Sequence, residues 1–215
     1  MAKNDSCRSA LASVQGLRLL NTNSEFTMSV NAFEKRKMER RDTYETHVRK
    51  GSSEPEVLDS LDAYLSLLGS VERGHAFAIL TRGLPSSLFW TAVHQQWSGF
   101  DLIDHIGFER LFRERRDEWK ADYMPRNDLA AFTTLPSEIG VFRGQCGTHQ
   151  IGLSWTTSRS VAAGFAKGHR GIYNEDPVVH ATVVRKDDIA SVQTGRQEQE
   201  FVLFEVNATS IRFIL

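Results

Sequence analysis

The sequence contains few of the features that mark secreted or membrane proteins. Its 215 residues include only two cysteines, Cys7 and Cys146. Their wide separation gives no disulfide framework, so we interpret both as free thiols of a reducing compartment. No stretch approaches the roughly 18 apolar residues that a membrane-spanning helix needs. The first residues have neither an apolar core behind the first lysine nor a small-residue cleavage site, which predicts that there is no secretory signal. We therefore expect no membrane partner and a cytoplasmic location, in the producing cell or in a target cell.

Motifs of several large enzyme classes are missing as well. The seven histidines show neither a His-Glu-x-x-His motif nor a paired spacing, so we expect no metal site. The chain has no phosphate-binding loop ending in Gly-Lys-Ser/Thr and no Gly-x-Ser-x-Gly nucleophile motif. It also lacks Gly-x-Gly-x-x-Gly, so NAD, if the protein uses it, is expected as a substrate and not as a redox cofactor of a Rossmann fold.

The apolar pattern divides the chain into a helical part and a later strand-rich part, which predicts an α+β fold. We expect a charged N-terminal arm over residues 1–53, a helical lobe over 54–136 and a strand-rich core over 137–215. Residues 54–215 are expected to form one integrated domain, in which the helical lobe shapes one wall of a cleft. Short strands after such a lobe predict two small packed sheets.

Local signals place elements within these parts. An apolar stripe from Val57 to Leu68 predicts a helix that stops at Gly69, and a longer helix is predicted over Leu102–Trp119. We interpret Trp90, Trp97 and Trp119 as core or contact aromatics in preference to base-stacking platforms. Further along, strands are predicted over 177–184, 200–206 and 210–215, with a turn over 186–190.

The segment Glu34–Lys50 of the N-terminal arm is densely charged. One interpretation is an arm that touches RNA or an acidic partner. The other is a solvated, mixed-charge helix face or a partly disordered tail. The pattern leaves both open, and Gly51–Pro55 after it is predicted as a hinge.

Two short segments place polar side chains at neighbouring strand ends. The first, Val141–Gln145, is an apolar run that ends in Arg143 and Gly144. The second, Gly152–Ala166, passes from a short strand through a cluster of hydroxyl residues into an amphipathic helix. Any of Thr156, Thr157 or Ser158 can cap that helix. A fixed cation beside a helix start favours a phosphate-bearing ligand.

A third segment adds acidic groups. Glu198 and Glu200 are two residues apart, so both carboxylates lie on the same face if the segment is a strand.

In this order the three segments resemble the ADP-ribosyltransferases of the arginine–serine–glutamate type. The resemblance covers residues 139–215 and implies a split β-sandwich core with NAD in its cleft. It implies that Glu200 is the catalytic glutamate, that Arg143 holds the dinucleotide and that Ser154 positions the ribose next to nicotinamide. Gly144 is then expected close to the nicotinamide amide.

The resemblance also implies supporting roles around the NAD site. Thr156 and Phe165 are expected to line it. Arg170 or His169 is a candidate contact for the pyrophosphate, with a simple exposed turn as the alternative. Trp155 stands where the family usually has a small hydroxyl residue. Its indole is expected either to line the pocket or to pack under the strand.

Glu198 indicates which group accepts the ADP-ribose. A glutamate two positions before the catalytic one resembles the arginine-modifying branch of the family. We therefore expect a mono-ADP-ribosyltransferase, acting as a toxin or effector, that transfers ADP-ribose to protein arginine. The alternatives are transfer to an RNA or DNA base, NAD hydrolysis, and an inactive binding module. A neutralising partner protein is a further expectation of the toxin role.

Overall fold

The computed structural model describes residues 23–101, 103–169, 172–195, 199–206 and 211–214. These residues form a mixed α+β structure in which helices precede an antiparallel sheet. The helices of the N-terminal part are α1 (Asn23–Lys50), α2 (Glu54–Leu65), α3 (Ser70–Leu80), α4 (Ser86–Gln96), α5 (His105–Glu114) and α6 (Arg126–Thr134). The second part contains β1 (Glu138–Cys146), β2 (Ser154–Thr156), α7 (Arg159–Lys167), β3 (Gly168–His169), β4 (Ile172–Tyr173), β5 (Pro177–Arg185), β6 (Ile189–Gln193), β7 (Glu200–Leu203) and β8 (Ile211–Ile214).

The charged arm is helical over the residues that the structure describes. Exposed i,i+4 ion pairs join Lys35 to Glu39 and Arg41 to Glu45 on α1, an arrangement that adds little stability but suits a solvated helix face. Near its end α1 contacts the lobe, because the buried Tyr44 donates its hydroxyl hydrogen bond to the Leu80 carbonyl at 2.9 Å. The charged segment is thus a solvated helix face over the described residues, and contact with RNA or an acidic partner stays a prediction. Residues 1–22 lie outside the described part.

The segment predicted as a hinge after α1 forms a hydrogen-bonded turn that leads into α2. Gly51 adopts a left-handed conformation with φ 63°, the usual way to end a helix. Ser52 donates its backbone N–H to the His47 carbonyl at 3.0 Å. Ser53 then donates its backbone N–H to the Glu56 carboxylate, also at 3.0 Å, at the start of α2. Glu54 and Pro55 of the predicted hinge already belong to α2, and motion about the turn at residues 51–53 stays a prediction.

The predicted helix over Leu102–Trp119 is shorter at both ends. Asp104 accepts a hydrogen bond from the Gly107 N–H at 3.0 Å and so caps α5 directly before His105. At the other end, Arg115 bonds back to the carbonyl of Phe112, three residues earlier, which tightens the last turn. A separate 3₁₀ turn follows at Arg116–Glu118.

An aromatic cluster fills the helical lobe. Trp90 and Trp97 are almost completely buried and both pack against Phe112, with ring centroids 5.1 and 5.6 Å apart. Trp119 connects the lobe to the sheet through an indole hydrogen bond of 2.9 Å to the Ala190 carbonyl. The prediction that these tryptophans are core or contact residues is confirmed.

Six of the described strands form one antiparallel sheet in the order β6-β7-β2-β1-β5-β8. β1 and β5 pair along nine residues, from Glu138 opposite Arg185 to Cys146 opposite Pro177. β1 and β2, in contrast, share the single pair Phe142 and Thr156. The expected two packed sheets are thus one hydrogen-bonded sheet with a narrow junction between two three-stranded halves.

The predicted turn over Lys186–Ala190 is only partly correct. Lys186–Asp188 forms a 3₁₀ turn, but Ile189 already begins β6, a strand that is buried at every position. The strand was missed because two of its residues, Ser191 and Gln193, are polar. Both are buried with hydrogen-bond partners on α4: Ser191 Oγ lies 2.7 Å from the His94 imidazole, and Gln193 donates to the His94 carbonyl at 3.0 Å. Within the described part, no helix combines the length and the apolarity that crossing a membrane requires.

Candidate active site

A cavity of about 260 Å³ lies where the helical lobe meets the narrow junction of the sheet. Its walls come from both parts of the chain. The residues that line it are Trp97, Ser98, Phe100, Asp101, Ile103, His105, Phe142, Arg143, Gly144, Ser154, Trp155, Thr156, Val161, Ala162, Phe165 and Glu200.

Most of the site residues expected from the sequence lie together around this cavity. Those that line it are Arg143, Gly144, Ser154, Trp155, Thr156, Phe165 and Glu200. Two others, Glu198 and Arg170, lie outside the described residues. The structure therefore brings the arginine, serine and glutamate of the three segments into one place.

Glu200 is the first residue of β7, and its side chain is half-buried. The strand register places it opposite Thr156 on β2 and opposite Gln193 on β6. One carboxylate oxygen, Oε1, accepts a hydrogen bond of 3.1 Å from the indole Nε1 of Trp97. A carboxylate is thus held at the floor of the cavity by a residue of the helical lobe.

The same indole N–H also points at Ser154. The distance from Trp97 Nε1 to Ser154 Oγ is 3.0 Å, so one donor is shared between the serine and Glu200. Trp97 is 1% exposed and its ring stands edge-on to Phe108 at 5.3 Å, which fixes the direction of the N–H. No sequence pattern indicates this role, because both acceptors lie more than fifty residues further along the chain.

Arg143 lies on β1 and is fixed by two hydrogen bonds. Its Nε donates to the Gln145 Oε1 at 2.8 Å, and its Nη1 donates to the backbone carbonyl of Ser154 at 2.7 Å. Burial lowers the pKa of Arg143 to about 10, although the negative charge of Glu200 opposes the shift. The guanidinium therefore stays protonated at neutral pH. Glu138, five residues earlier on the same strand, projects from the opposite face and is not placed to pair with it.

Gly144 lets helix α7 lie directly on β1. A Cβ at this position would overlap with the Ala162 carbonyl and would lie only 2.6 Å from the backbone nitrogen of Ala166. The obstacle is helix backbone, which cannot move aside as a flexible side chain can. The observed reason for glycine is thus close helix packing, whereas the expected approach to a nicotinamide amide stays a prediction.

The hydroxyl residues at and after the end of β2 have separate structural roles. Ser158 caps α7 and accepts from the Val161 N–H at 3.3 Å. Thr156 accepts from the Ser158 N–H at 3.1 Å. Trp155 is buried, and its indole donates to the Gly152 carbonyl at 3.0 Å. Its ring therefore packs under the strand while it also borders the cavity.

The residue before Glu200 has an unusual backbone. Gln199 has φ 44°, a left-handed conformation that costs free energy for a residue with a Cβ. Its side chain accepts a hydrogen bond of 3.0 Å from the Thr157 hydroxyl. β7 begins at Glu200. Glu198 lies outside the described residues, so the expected placement of both carboxylates on one face stays a prediction.

Two residues that the sequence did not single out, His105 and Gly152, complete the wall near Arg143. A Cβ on Gly152 would overlap with both the Arg143 Nη2 and the His105 imidazole. Only glycine lets these two side chains approach the loop together. Among the residues that the structure describes, no group of three or more His, Cys, Asp or Glu side chains is arranged to bind a metal ion.

No protein-family model matches this chain, and neither do the curated proteins or the solved structures with which it was compared.

Proposed function

We propose that the protein is a mono-ADP-ribosyltransferase that takes ADP-ribose from NAD and releases nicotinamide. The observation that carries the proposal is one cavity that holds Arg143, Ser154 and Glu200, with the Trp97 N–H bonded to both of the latter. These are the three residues that the resemblance pairs with NAD. Their assembly from β1, β2 and β7 is a property of the folded chain and not of any one segment.

The donors and acceptors of the cavity fit the diphosphate and the ribose of such a dinucleotide. A protonated guanidinium suits diphosphate oxygens, and a carboxylate suits ribose hydroxyls as an acceptor. Phe142, Val161 and Phe165 add an apolar wall, as expected for a site that buries a flat aromatic ring.

The chemistry assigned to Glu200 is stabilisation of charge. As the bond between the ribose C1 and the nicotinamide nitrogen breaks, its electron pair leaves with nicotinamide, and positive charge develops on the ribose. A carboxylate held beside the ribose stabilises that charge, and in a water-poor site such a group is worth several kcal/mol. An acceptor nitrogen then forms the new bond to C1 and loses a proton. The net products are an ADP-ribosylated acceptor, nicotinamide and one proton.

For the acceptor we favour a protein arginine. Glu198 supports this choice through the resemblance alone, as the base that receives the guanidinium proton. A nucleic-acid base is the second candidate, because α1 presents exposed basic residues such as Arg36 and Arg40 to solvent. Water as acceptor would make the protein an NAD glycohydrolase.

The acceptor is tested by labelling a cell lysate with NAD that carries a tag on the adenine. The wild-type protein is compared with Glu200→Gln, and the labelled material is divided and treated with protease or with nuclease. We expect label that depends on Glu200 and disappears with protease. Label that disappears only with nuclease would move the acceptor to nucleic acid. NAD consumption without label would indicate hydrolysis. The absence of both label and NAD consumption would favour the alternative of an inactive binding module.

Whether Glu198 acts on the acceptor is tested separately with Glu198→Ala. We expect this variant to keep NAD hydrolysis and to lose transfer to arginine. Equal loss of both activities would assign Glu198 to the ribose chemistry instead.

A further inference from the structure

Two hydrogen-bond donors from different elements meet at one end of the cavity. Arg143 extends from β1, and His105 is the first residue of α5. Both side chains reach the space that a Cβ on Gly152 would fill. The imidazole and the guanidinium Nη2 are therefore neighbours at the same loop, and both line the cavity.

The hydrogen bonding of His105 fixes which ring nitrogen carries the proton. The backbone N–H of Leu153 donates to the imidazole Nδ1 at 3.3 Å. Since Nδ1 accepts, a neutral ring must hold its hydrogen on Nε2. Nε2 is one of the two His105 atoms next to Gly152, so the N–H lies on the side of the ring that meets Arg143.

The charge state of His105 agrees with this assignment. Burial lowers its pKa to about 3, the positive charge of Arg143 acts in the same direction, and the Asp104 carboxylate opposes both. The ring is therefore neutral across the physiological range. Its Nε2–H is thus a hydrogen-bond donor for a ligand, and the ring adds no second positive charge beside the guanidinium.

Arg143 has one nitrogen that its two structural hydrogen bonds do not use. Nε is bonded to Gln145 and Nη1 to the Ser154 carbonyl, and the remaining nitrogen, Nη2, is the one beside His105. Two adjacent donors, one of them charged, favour an oxygen-rich anion. The carboxylates that line the cavity, Asp101 and Glu200, complete the charged groups around it.

We propose that His105 is a substrate-binding residue whose Nε2–H, together with Arg143 Nη2, binds the diphosphate of NAD. This inference rests on the proposed function, because it names the part of the dinucleotide that this end of the cavity recognises. It adds a residue from the helical lobe to the three supplied by the sheet. The lobe then contributes to binding as well as to the shape of the cleft.

The test measures NAD binding by calorimetry in the Glu200→Gln protein, so that NAD is not consumed during the titration. His105→Phe keeps a flat ring without a donor, whereas His105→Gln places an amide N–H near the position of Nε2. We expect His105→Phe to weaken NAD binding by about tenfold to a hundredfold, the usual loss for a hydrogen bond to a charged group. His105→Gln should restore most of it.

ADP-ribose and nicotinamide, titrated separately, locate the effect. His105→Phe should weaken ADP-ribose binding as it weakens NAD binding and leave nicotinamide binding unchanged. Thermal unfolding of each variant shows whether the fold is kept. Gly152→Ala should reproduce the loss by displacing both donors, and Gly140→Ala, which adds its methyl group to open space on β1, should not.

The outcomes separate this inference from the proposed function. If the Glu200→Gln protein binds NAD but His105→Phe binds it equally well, the role of His105 is refuted and the proposed function stands. Binding that strengthens as the pH falls from 7 to 6 would indicate a charged imidazolium and would also refute it. If neither NAD nor ADP-ribose binds to any form of the protein, the proposed function itself fails.

Discussion

The indole Nε1 of Trp97 lies 3.1 Å from Oε1 of Glu200, although 103 positions separate the two residues in the sequence. Trp97 belongs to the aromatic core of the helical lobe, and Glu200 begins a strand of the sheet. The contact therefore ties the position of a carboxylate in the cavity to the packing of a hydrophobic core. It makes the lobe part of the site.

Replacing Trp97 by Phe tests this connection. The variant keeps an aromatic ring in the core but loses the N–H shared by Ser154 and Glu200. We expect turnover of NAD to fall about tenfold or more, because a misplaced reacting group is costly. The protein should lose about 1–2 kcal/mol of unfolding free energy, measured by denaturant titration.

Trp90→Phe is the matched control for that experiment. Trp90 is equally buried and donates its indole hydrogen bond to the Arg115 carbonyl at 3.2 Å, not to a residue that lines the cavity. It should lose similar stability with unchanged turnover. Equal losses of turnover in both variants would show that the lobe matters only for folding.

Gly144→Ala is expected to disrupt the packing of α7 on β1. The new methyl group would overlap with helix backbone at Ala162, so strand and helix must separate. We expect a loss of several kcal/mol in unfolding free energy, measured by chemical denaturation. Gly140→Ala on the same strand has open space around its Cβ and should change stability by less than about 1 kcal/mol. Similar values for both would contradict the close approach of α7.

The left-handed backbone at Gln199 makes a further prediction. Asparagine tolerates this conformation, whereas β-branched valine does not. Gln199→Val should therefore destabilise the protein by about 1–2 kcal/mol more than Gln199→Asn and should lower turnover by displacing Glu200. The comparison needs unfolding curves and NAD turnover for both variants. A valine variant that is as stable and active as the asparagine variant would exclude a strained turn before β7.

A buried histidine predicts how stability depends on pH. Burial lowers the pKa of His94 to about 3, and its Nε2 has no hydrogen-bond partner among the described residues. In the unfolded chain its pKa is about 6.5, so between these values the unfolded state binds the additional proton. The stability that comes from keeping His94 neutral is therefore fully present above pH 6.5. It is lost progressively as the pH falls towards 3, by up to about 1.4 kcal/mol of unfolding free energy per pH unit.

His94→Asn isolates that contribution. Its amide can bond to Ser191, as the His94 Nδ1 does, but it does not titrate. Unfolding free energies measured between pH 5 and 6.5 should fall less steeply for the variant than for the wild type. Parallel slopes would mean that His94 is accessible to protons in the folded state.

Local signals predicted much of the second part of the fold and less of the site. The hydroxyl cluster before α7 and the β-branched run of β5 are visible in a short window of sequence, and both elements formed where they were expected. β6 was missed because Ser191 and Gln193 look polar until His94 is placed against them. A partner that distant along the chain leaves no trace in the local pattern.

The residues of the cavity likewise divide into those that a local motif indicates and those that depend on distant contacts. Arg143, Ser154 and Glu200 could be named from their motifs. Ser154 and Glu200 begin their strands, but the expected strand end at Arg143 was wrong, because β1 stays paired with β5 as far as Cys146. Trp97 and His105 could not, because their importance comes from contacts across 57 and 48 positions with Ser154 and Leu153. The expected pairing of Glu198 with Glu200 stays a prediction, because Glu198 lies outside the described residues.

The most direct test of the proposed function is the release of nicotinamide from NAD by the purified protein, measured for wild type, Glu200→Gln and Glu205→Gln. Glu205 follows the same strand but pairs with Arg116 at 3.4 Å, so it serves as the control. We predict release by the wild type and by Glu205→Gln, and at least a hundredfold slower release by Glu200→Gln, roughly the several kcal/mol assigned to the carboxylate. Equal release by wild type and Glu200→Gln, or no release by any of the three, would contradict the assignment of this cavity as the site of NAD cleavage.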